Sequence, residues 1–292
     1  MAATPASKLS EEQVAGLSAA LAAARTAEGL PGDLHALVDG LRNSKQTAFT
    51  ADEVDRVAAA TALLEHPLDE RPIWHAAEKR GQFFVFEGLD RSGKSTQSRR
   101  LAAHLEQTGH AVKWMCFPDR HTPVGTLIDL YLRRKIELTD EAIHRLFSAN
   151  RWETAQTIVD ELNTGTMIVC DRYAFSGVAY SAAKGLDLAW CQEPDRGLPA
   201  PDGVFFMHID EKVGASRADF GDERYENADM QARVRVQFRQ EELRAGVSWH
   251  DVDGARDIET IHSEIRDAVQ AILTVKEHGA RAIHGLWDLR GL

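Results

Sequence analysis

The residues of this chain best suited to chemistry lie together between Gly88 and Thr96: Gly88, four residues, then Gly93, Lys94, Ser95 and Thr96. Glycines at that spacing let the backbone curl until successive N–H groups face one point, which is how a loop cradles a polyphosphate. Lys94 then reaches the outer phosphates, and Ser95 offers an oxygen to magnesium. Such a loop needs a buried strand to deliver it and a helix to aim the positive end of its dipole at the anion. Both are legible. Phe83 to Phe86 form an apolar run suited to an interior strand, and Gln97 to Thr108 reads as a helix with Leu101, Ala102 and Leu105 inward, ended by Gly109. A glycine-rich turn that merely fits the spacing would lack these two neighbours.

Four further strands are predicted, over Val112 to Phe117, Met167 to Cys170, Val204 to Ile209 and Trp249 to Val252. Helices are predicted between them over Ile128 to Arg134 and Thr139 to Asn163. This alternation implies an α/β fold: a five-stranded parallel sheet with helices on both faces and ligands at the carboxyl ends of the strands. Arg120 follows the second strand and Asp171-Arg172 end the third, so all three fall on that ligand side. A guanidinium there either grips an anion or makes a surface ion pair, and an aspartate at a strand end either orders magnesium or caps the next helix.

Composition narrows the function. A net charge of -11 and a pI near 5.6 disfavour duplex nucleic acid or an anionic membrane as the main partner. No run approaches the length of a membrane span, and the start of the chain lacks the basic-then-apolar pattern of a secretory signal. Cys116, Cys170 and Cys191 are too few and too irregular for a disulfide framework or zinc site, which points to a reducing, cytoplasmic setting with the thiols as small core residues.

Residues 1–80 read differently from the rest. Ser10 with Gln13 and Thr50 with Glu53 make capping boxes, ahead of Val14, Leu17 and Leu21 in one case and Val54, Val57 and Leu64 in the other. Between them Leu34, Leu37, Val38 and Leu41 suggest a third helix, ending near Asn43 and Ser44. So small a helical segment buries too little surface to stand alone, so it is expected to pack on the main domain or on a partner. Leu68 to Arg80, bracketed by Pro67 and Pro72, reads as a stiff linker. Frequent acidic residues argue against a transit peptide.

From about Gly81 to Trp287 the chain closely resembles the thymidylate kinases. The resemblance is carried by Asp90-Arg91-Ser92-Gly93-Lys94-Ser95-Thr96, Phe117-Pro118-Asp119-Arg120, Phe147-Ser148-Ala149-Asn150-Arg151-Trp152-Glu153 and Asp171-Arg172-Tyr173. It continues through Ala174-Phe175-Ser176-Gly177, Gly197-Leu198-Pro199, Pro201-Asp202 and Phe220-Gly221-Asp222-Glu223-Arg224-Tyr225-Glu226. It implies the P-loop nucleoside monophosphate kinase fold over residues 81–292, a lid at about 213–226, a homodimer, and magnesium-dependent transfer of phosphate from ATP to dTMP. A broader deoxynucleoside monophosphate kinase taking dUMP or dGMP is the near alternative, and a nucleotide-binding regulatory module the distant one.

Residue by residue, the resemblance assigns the donor phosphates to Gly88, Ser92, Gly93, Lys94, Ser95, Thr96 and the lid residue Arg217. Arg91 is implied to be an arginine finger within the loop, as in the eukaryotic-like class, and Asp90 to accept a hydrogen bond from the acceptor's 3'-hydroxyl. The acceptor is implied to meet Phe117, Arg120, Phe147, Arg151, Arg172, Gly177 and Tyr180. Arg91, Lys94, Asp90 and Arg172 are the expected catalytic set, and Ser95, Asp171 and Glu226 the expected metal set, through water in part. Gly254 and Ala255 fall where the adenine is cradled. By its position alone Phe147 reads as a core residue, because a phenylalanine on a helix usually is. Residues 213–226 read from sequence equally as a plain exposed loop and as a lid. The acceptor monophosphate is mostly dianionic at neutral pH, with a second pKa of roughly 6, so no general base is assigned.

Overall fold

The computed structural model describes residues 9–23, 34–43, 49–209, 223–274 and 282–288. Five strands, β1 (Phe83–Gly88), β2 (Val112–Cys116), β3 (Met167–Asp171), β4 (Gly203–His208) and β5 (Trp249–Asp253), form one sheet in the order β2-β3-β1-β4-β5. Every pairing is parallel. β1 is central and wholly buried, so its side chains can be apolar on both faces. Alternation along it sends Phe83 and Val85 into one core and Phe84 and Phe86 into the other.

Among the described residues, three helices precede the sheet: α1 (Glu11–Ala23), α2 (Leu34–Asn43) and α3 (Ala51–Ala62). Among the same residues, eight follow in the order α4 (Lys94–Gln107), α5 (Pro123–Leu132), α6 (Asp140–Asn163), α7 (Ala174–Ala182), α8 (Leu188–Gln192), α9 (Ala228–Gln237), α10 (Glu241–Arg244) and α11 (Ile258–Thr274). α4 and α11 cover the Phe84–Phe86 face, where Leu101 and Leu105 meet Ile261 and Ile265. The opposite face is covered by α5, α6 and α7, and its core runs on without a break into α1, α2 and α3.

Both predicted capping boxes are formed. Ser10 N donates to Gln13 Oε1 at 2.9 Å and Gln13 N to Ser10 Oγ at 3.2 Å, and Thr50 and Glu53 make the same exchange ahead of α3. Three expectations need correction. The helix predicted over Ile128 to Arg134 starts earlier, at Pro123, because Thr122 caps it by accepting from Gly125 N at 2.9 Å and Pro123 supplies the first helical φ. It stops at Leu132, two residues before Arg134 turns to φ 57. The helix expected from Gln97 begins at Lys94, since Gly93 at φ 98 turns the chain directly from loop to helix. Residues 68–80 are no detached linker. The buried Arg71 donates to the Glu193 carbonyl at 2.7 Å and the Arg196 carbonyl at 2.9 Å, and Trp74 Nε1 to the Gly197 carbonyl at 2.7 Å. Arg80 pairs with Asp202 beside the start of β1, closing the segment onto the sheet.

Among the described residues no helix is long and apolar enough to cross a membrane. All three cysteines are free thiols.

Candidate active site

The carboxyl ends of β1, β2 and β3 open into a cleft of about 250 Å³, lined by Asp90, Phe117, Arg120, Phe147, Arg151, Asp171, Arg172, Gly177 and Tyr180 among others. The strand ends therefore bring together residues more than eighty positions apart in the chain, such as Asp90 and Arg172.

On the loop, Gly88 lies at φ 137 and a Cβ there would stand 2.2 Å from the Met207 carbonyl oxygen of β4, so only glycine lets the loop leave the sheet at this point. Arg91 takes φ 60, a left-handed conformation uncommon outside glycine and asparagine, and one that concentrates at functional turns. Lys94 is 5% exposed, and its ammonium donates to the Leu89 carbonyl and to Ser92 Oγ. Burial, with help from the neighbouring Arg172 charge, lowers its pKa to about 8. Ser95 Oγ, on the first turn of α4, donates to Asp171 Oδ2 at the end of β3, while Asp171 Oδ1 is buried without a hydrogen-bond partner among the described residues. Thr96, on the first turn of α4, is exposed and outside the cleft lining.

The hinge between loop and cleft is an ion pair. Arg172, at φ 67, donates to Asp90, to the Gly88 carbonyl at 3.1 Å and to Ser176 Oγ at 2.9 Å, with its guanidinium 5.4 Å from the Tyr180 ring centre. Asp90 also accepts from Tyr180 OH at 2.9 Å and Gln231 Nε2 at 2.7 Å. Burial opposes the Asp90 charge, but Arg172 and Lys94 outweigh it and hold the carboxyl below the usual range. Beneath them the fully buried Glu87 accepts from the Tyr173 amide at 2.9 Å and the Ser176 amide at 3.0 Å. Burial raises its pKa above the usual carboxylate value.

The far wall is α6. Arg151 meets Asp195 in a two-point pair, Nε to Oδ1 at 3.0 Å and Nη2 to Oδ2 at 2.6 Å, and Ser148 Oγ donates to the same carboxylate at 2.6 Å. Gly177 of α7 lets the guanidinium pass: a Cβ there would stand 2.7 Å from Arg151 Nη2. Phe147, one helical turn before Arg151, lines the cleft while packing on the core, so its placement serves both readings open in the sequence. Phe117 packs against Tyr173 at 5.7 Å, ahead of a cis Phe117–Pro118 bond. That loop is held by Asn150, whose Nδ2 donates to the Asp119 carbonyl at 3.1 Å and whose Oδ1 accepts from Asp119 N at 2.8 Å. Arg120 pairs with Asp129 and with Glu223 at 2.7 Å, and Arg91 with Glu226 at 3.4 Å.

Of the expected lid, only residues 223–226 are described, and Arg217 lies outside the described residues. Gly254 is packed against the loop, its N–H on the His208 carbonyl at 2.8 Å and its Cα so near Ser92 that a Cβ would stand 2.6 Å from the Ser92 carbonyl oxygen. Sequence reasoning gave no site role to Glu87, Gln231, Asp195, Glu223 or Tyr225. Glu223 and Tyr225 lie within the Phe220–Glu226 motif, Glu87 lies between the predicted strand and the loop, and Asp195 lies beside the proline-rich stretch Pro194-Asp195 to Pro201-Asp202; Gln231 lies in no such motif.

A loop that offers backbone and lysine to phosphates, joined through an aspartate–arginine pair to a cationic, ring-walled cleft, is built for transfer between two phosphorylated ligands. The sequence pattern of the thymidylate kinases matches residues 86–265. The chain belongs to the thymidylate kinase family. It is 47% identical to the thymidylate kinase of Schizosaccharomyces pombe over 198 residues, 67% of this chain and 94% of that one. Identity to the human thymidylate kinase is 45% over 191 residues, 65% of this chain and 90% of the relative. The solved thymidylate kinase of Candida albicans superposes with a TM-score of 0.63 at 38% identity, covering 71% of this chain and 98% of its own. This family member is therefore a kinase, with the five-stranded P-loop nucleoside monophosphate kinase fold expected from its sequence.

Proposed function

We propose that this kinase transfers the γ-phosphoryl group of ATP to dTMP. An oxygen of the acceptor phosphate bonds to the γ-phosphorus while the bond from that phosphorus to the β–γ bridging oxygen breaks, leaving dTDP and ADP. The observation that carries the reading is the Asp90–Arg172 pair, which fastens the phosphate loop to the acceptor cleft so that the two ligands' phosphates converge on one cationic centre. Lys94 and the loop amides of Gly88, Ser92, Gly93, Ser95 and Thr96 hold the donor; the resemblance gives the donor phosphates Arg217 as well, which lies outside the described residues. Arg91 is aimed at the transferred group by Glu226. Arg120 and Arg172 hold the acceptor phosphate, and both already carry carboxylate partners that a phosphate would share. Phe147 stacks on thymine, Arg151 donates to its carbonyl, Gly177 keeps Arg151 in line, and Phe117 and Tyr180 flank the sugar and base.

Magnesium suits the residues present. The buried Asp171 Oδ1 has no hydrogen-bond partner among the described residues and lies on the carboxylate that Ser95 already meets, and this ion takes one or two protein oxygens beside phosphate and water. Among the described residues no group of three His, Cys, Asp or Glu could hold it alone, which leaves room for phosphate oxygens as ligands. When bound it would neutralise charge on the β- and γ-phosphates. Glu226, the other expected metal contact, has its carboxylate on Arg91 and the Glu223 N–H, and in this proposal it orients Arg91. Three free thiols fit a reducing setting, and we place the reaction in the cytoplasm. The homodimer implied by the resemblance, through helices of the kinase domain, is part of the same proposal.

Turnover in a coupled assay with ATP, magnesium and each of dTMP, dUMP, dGMP and the ribose analogue of dTMP tests the reading. Selective use of dTMP, lost on adding a chelator, is the expected result. ATP hydrolysis indifferent to every acceptor would overturn it.

A further inference from the structure

α7 presents Ser176, Gly177 and Tyr180 to the acceptor side of the cleft, yet it has no cap of its own. Tyr173 stands at its N-cap position without a side-chain hydrogen bond. The first amides of a helix have no partner within it and need an acceptor from elsewhere. Here that acceptor comes from eighty-six residues earlier in the chain. Glu87 Oε1 accepts from Tyr173 N at 2.9 Å and from Ser176 N at 3.0 Å, the bonds that a side chain at the N-cap ordinarily supplies locally. Its charge also faces the positive end of the α7 dipole. Glu87 is 0% exposed, and a carboxylate buried so completely is costly unless its oxygens are occupied.

The second oxygen serves the phosphate clamp. Oε2 accepts from Ser176 Oγ, and Ser176 Oγ accepts from Arg172 Nη1 at 2.9 Å. The directions are fixed, because a guanidinium only donates: Ser176 accepts from it and sends its single hydrogen to the carboxylate. The same Nη1 donates to the carbonyl of Gly88, the residue after Glu87, at 3.1 Å. Arg172 is thus held at one nitrogen from the end of β1 and at the other, Nη2, by Asp90. The two holds differ in kind. Asp90 lines the cleft, where the acceptor's 3'-hydroxyl is expected to claim it, whereas Glu87 is sealed beneath, beyond the reach of a ligand.

We infer that Glu87 is a positioning residue for the acceptor: it caps α7 from the strand that carries the phosphate loop and, through Ser176, keeps the Arg172 guanidinium in place while the acceptor draws on Asp90. One carboxylate then sets the acceptor helix and the phosphate clamp against the donor loop. Arg172 stands at φ 67, a backbone conformation that persists only when its surroundings hold it, and this chain of bonds is part of that hold. The inference rests on the acceptor reading of the cleft given above.

Steady-state kinetics of the full chain, varying ATP and dTMP in turn, test this. Glu87→Gln keeps the size and leaves an oxygen for the α7 amides, but turns an amide NH2 towards Ser176, which needs an acceptor there. KM for dTMP is expected to rise by about 10- to 100-fold with KM for ATP within about 2-fold of the unaltered enzyme, a split that a general loss of folding would not give. Ser176→Ala leaves the cap and cuts only the link to Arg172; it is expected to show the same split with a smaller fall in Tm, and it carries the test if Glu87→Gln does not fold. In the double variant the two effects are expected not to multiply, because both cut one chain of bonds. An unchanged KM for dTMP in either folded variant, an equal rise for both substrates, or multiplication in the double variant overturns the inference. Failure of the unaltered enzyme to use dTMP overturns the acceptor reading and the inference with it, and is told apart because it precedes any substitution.

Discussion

Lys94 and Asp90 sit within one shell of charge, yet burial moves them differently. Asp90 faces Arg172 and Lys94, and the two cations outweigh its desolvation. Lys94 has Arg172 beside it as a like charge, so burial and repulsion together bring it from the ordinary 10.5 to about 8. The folded state thus holds this proton less tightly than the unfolded chain, and the charged lysine detracts from stability below pH about 8, an effect that fades as pH rises towards 10.5. Catalysis runs the other way, because only the ammonium attracts phosphate. We expect kcat/KM for ATP to fall as pH rises through about 8, and kcat, set with phosphates beside the ammonium, to hold to higher pH. Lys94→Arg, permanently charged, is expected to remove that alkaline limb whatever it does to turnover; a limb at the same pH in that variant would refute the assignment. The lysine's position was plain in the sequence. Its altered acidity was not, since that comes from burial in the folded site and from Arg172, seventy-eight residues away and brought near by the pairing of β1 with β3.

At the scale of elements, the site depends on two helices crossing closely. α7 brings Gly177 against the guanidinium that α6 presents, and Asp195, just after α8, fixes that guanidinium at two points. Helix propensity alone favours alanine over glycine in a helix by about 1 kcal/mol. Here a Cβ would stand 2.7 Å from Arg151 Nη2 and 3.0 Å from Nη1, and the arginine cannot step aside without breaking its buried pair. Gly177→Ala is expected to raise KM for dTMP by roughly 10- to 100-fold while leaving KM for ATP nearly unchanged, since small displacements of a positioning group are costly. Steady-state kinetics varying each substrate checks this, and an unchanged dTMP KM would count against the placement of Arg151. The glycine and the arginine were both marked by the family's motifs. Their mutual dependence was not, because a crossing distance between helices has no periodicity to reveal it.

Across the whole molecule, stability and function draw on one core, and His144 reports on it. Its Nε2 lies 2.9 Å from the Cys191 carbonyl, which can only accept, so Nε2 carries the proton and Nδ1 accepts from Ser181 Oγ at 2.8 Å. Burial lowers its pKa from 6.5 to about 4, so the neutral ring adds full stability above pH 6.5 and loses it as pH falls towards 4. We expect about 3 kcal/mol to be lost through this group over that interval, and a shallower acid slope in His144→Gln when urea unfolding is followed at pH 7 and pH 4.5. Equal slopes would reject the buried neutral histidine. The sequence by itself determined the sheet, the phosphate loop and its flanking elements, because those depend on local spacing: apolar alternation, glycines at a turn, capping boxes at helix starts. It also carried the family, through motifs that keep their order. Only the tertiary structure decided that Arg71 and Trp74 bind residues 68–80 to the kinase core, that Gln231 and Glu87 brace the Asp90–Arg172 pair, and that α1–α3 cover α5 and α6. Those are contacts between distant segments, and no segment's own pattern records which distant surface will meet it.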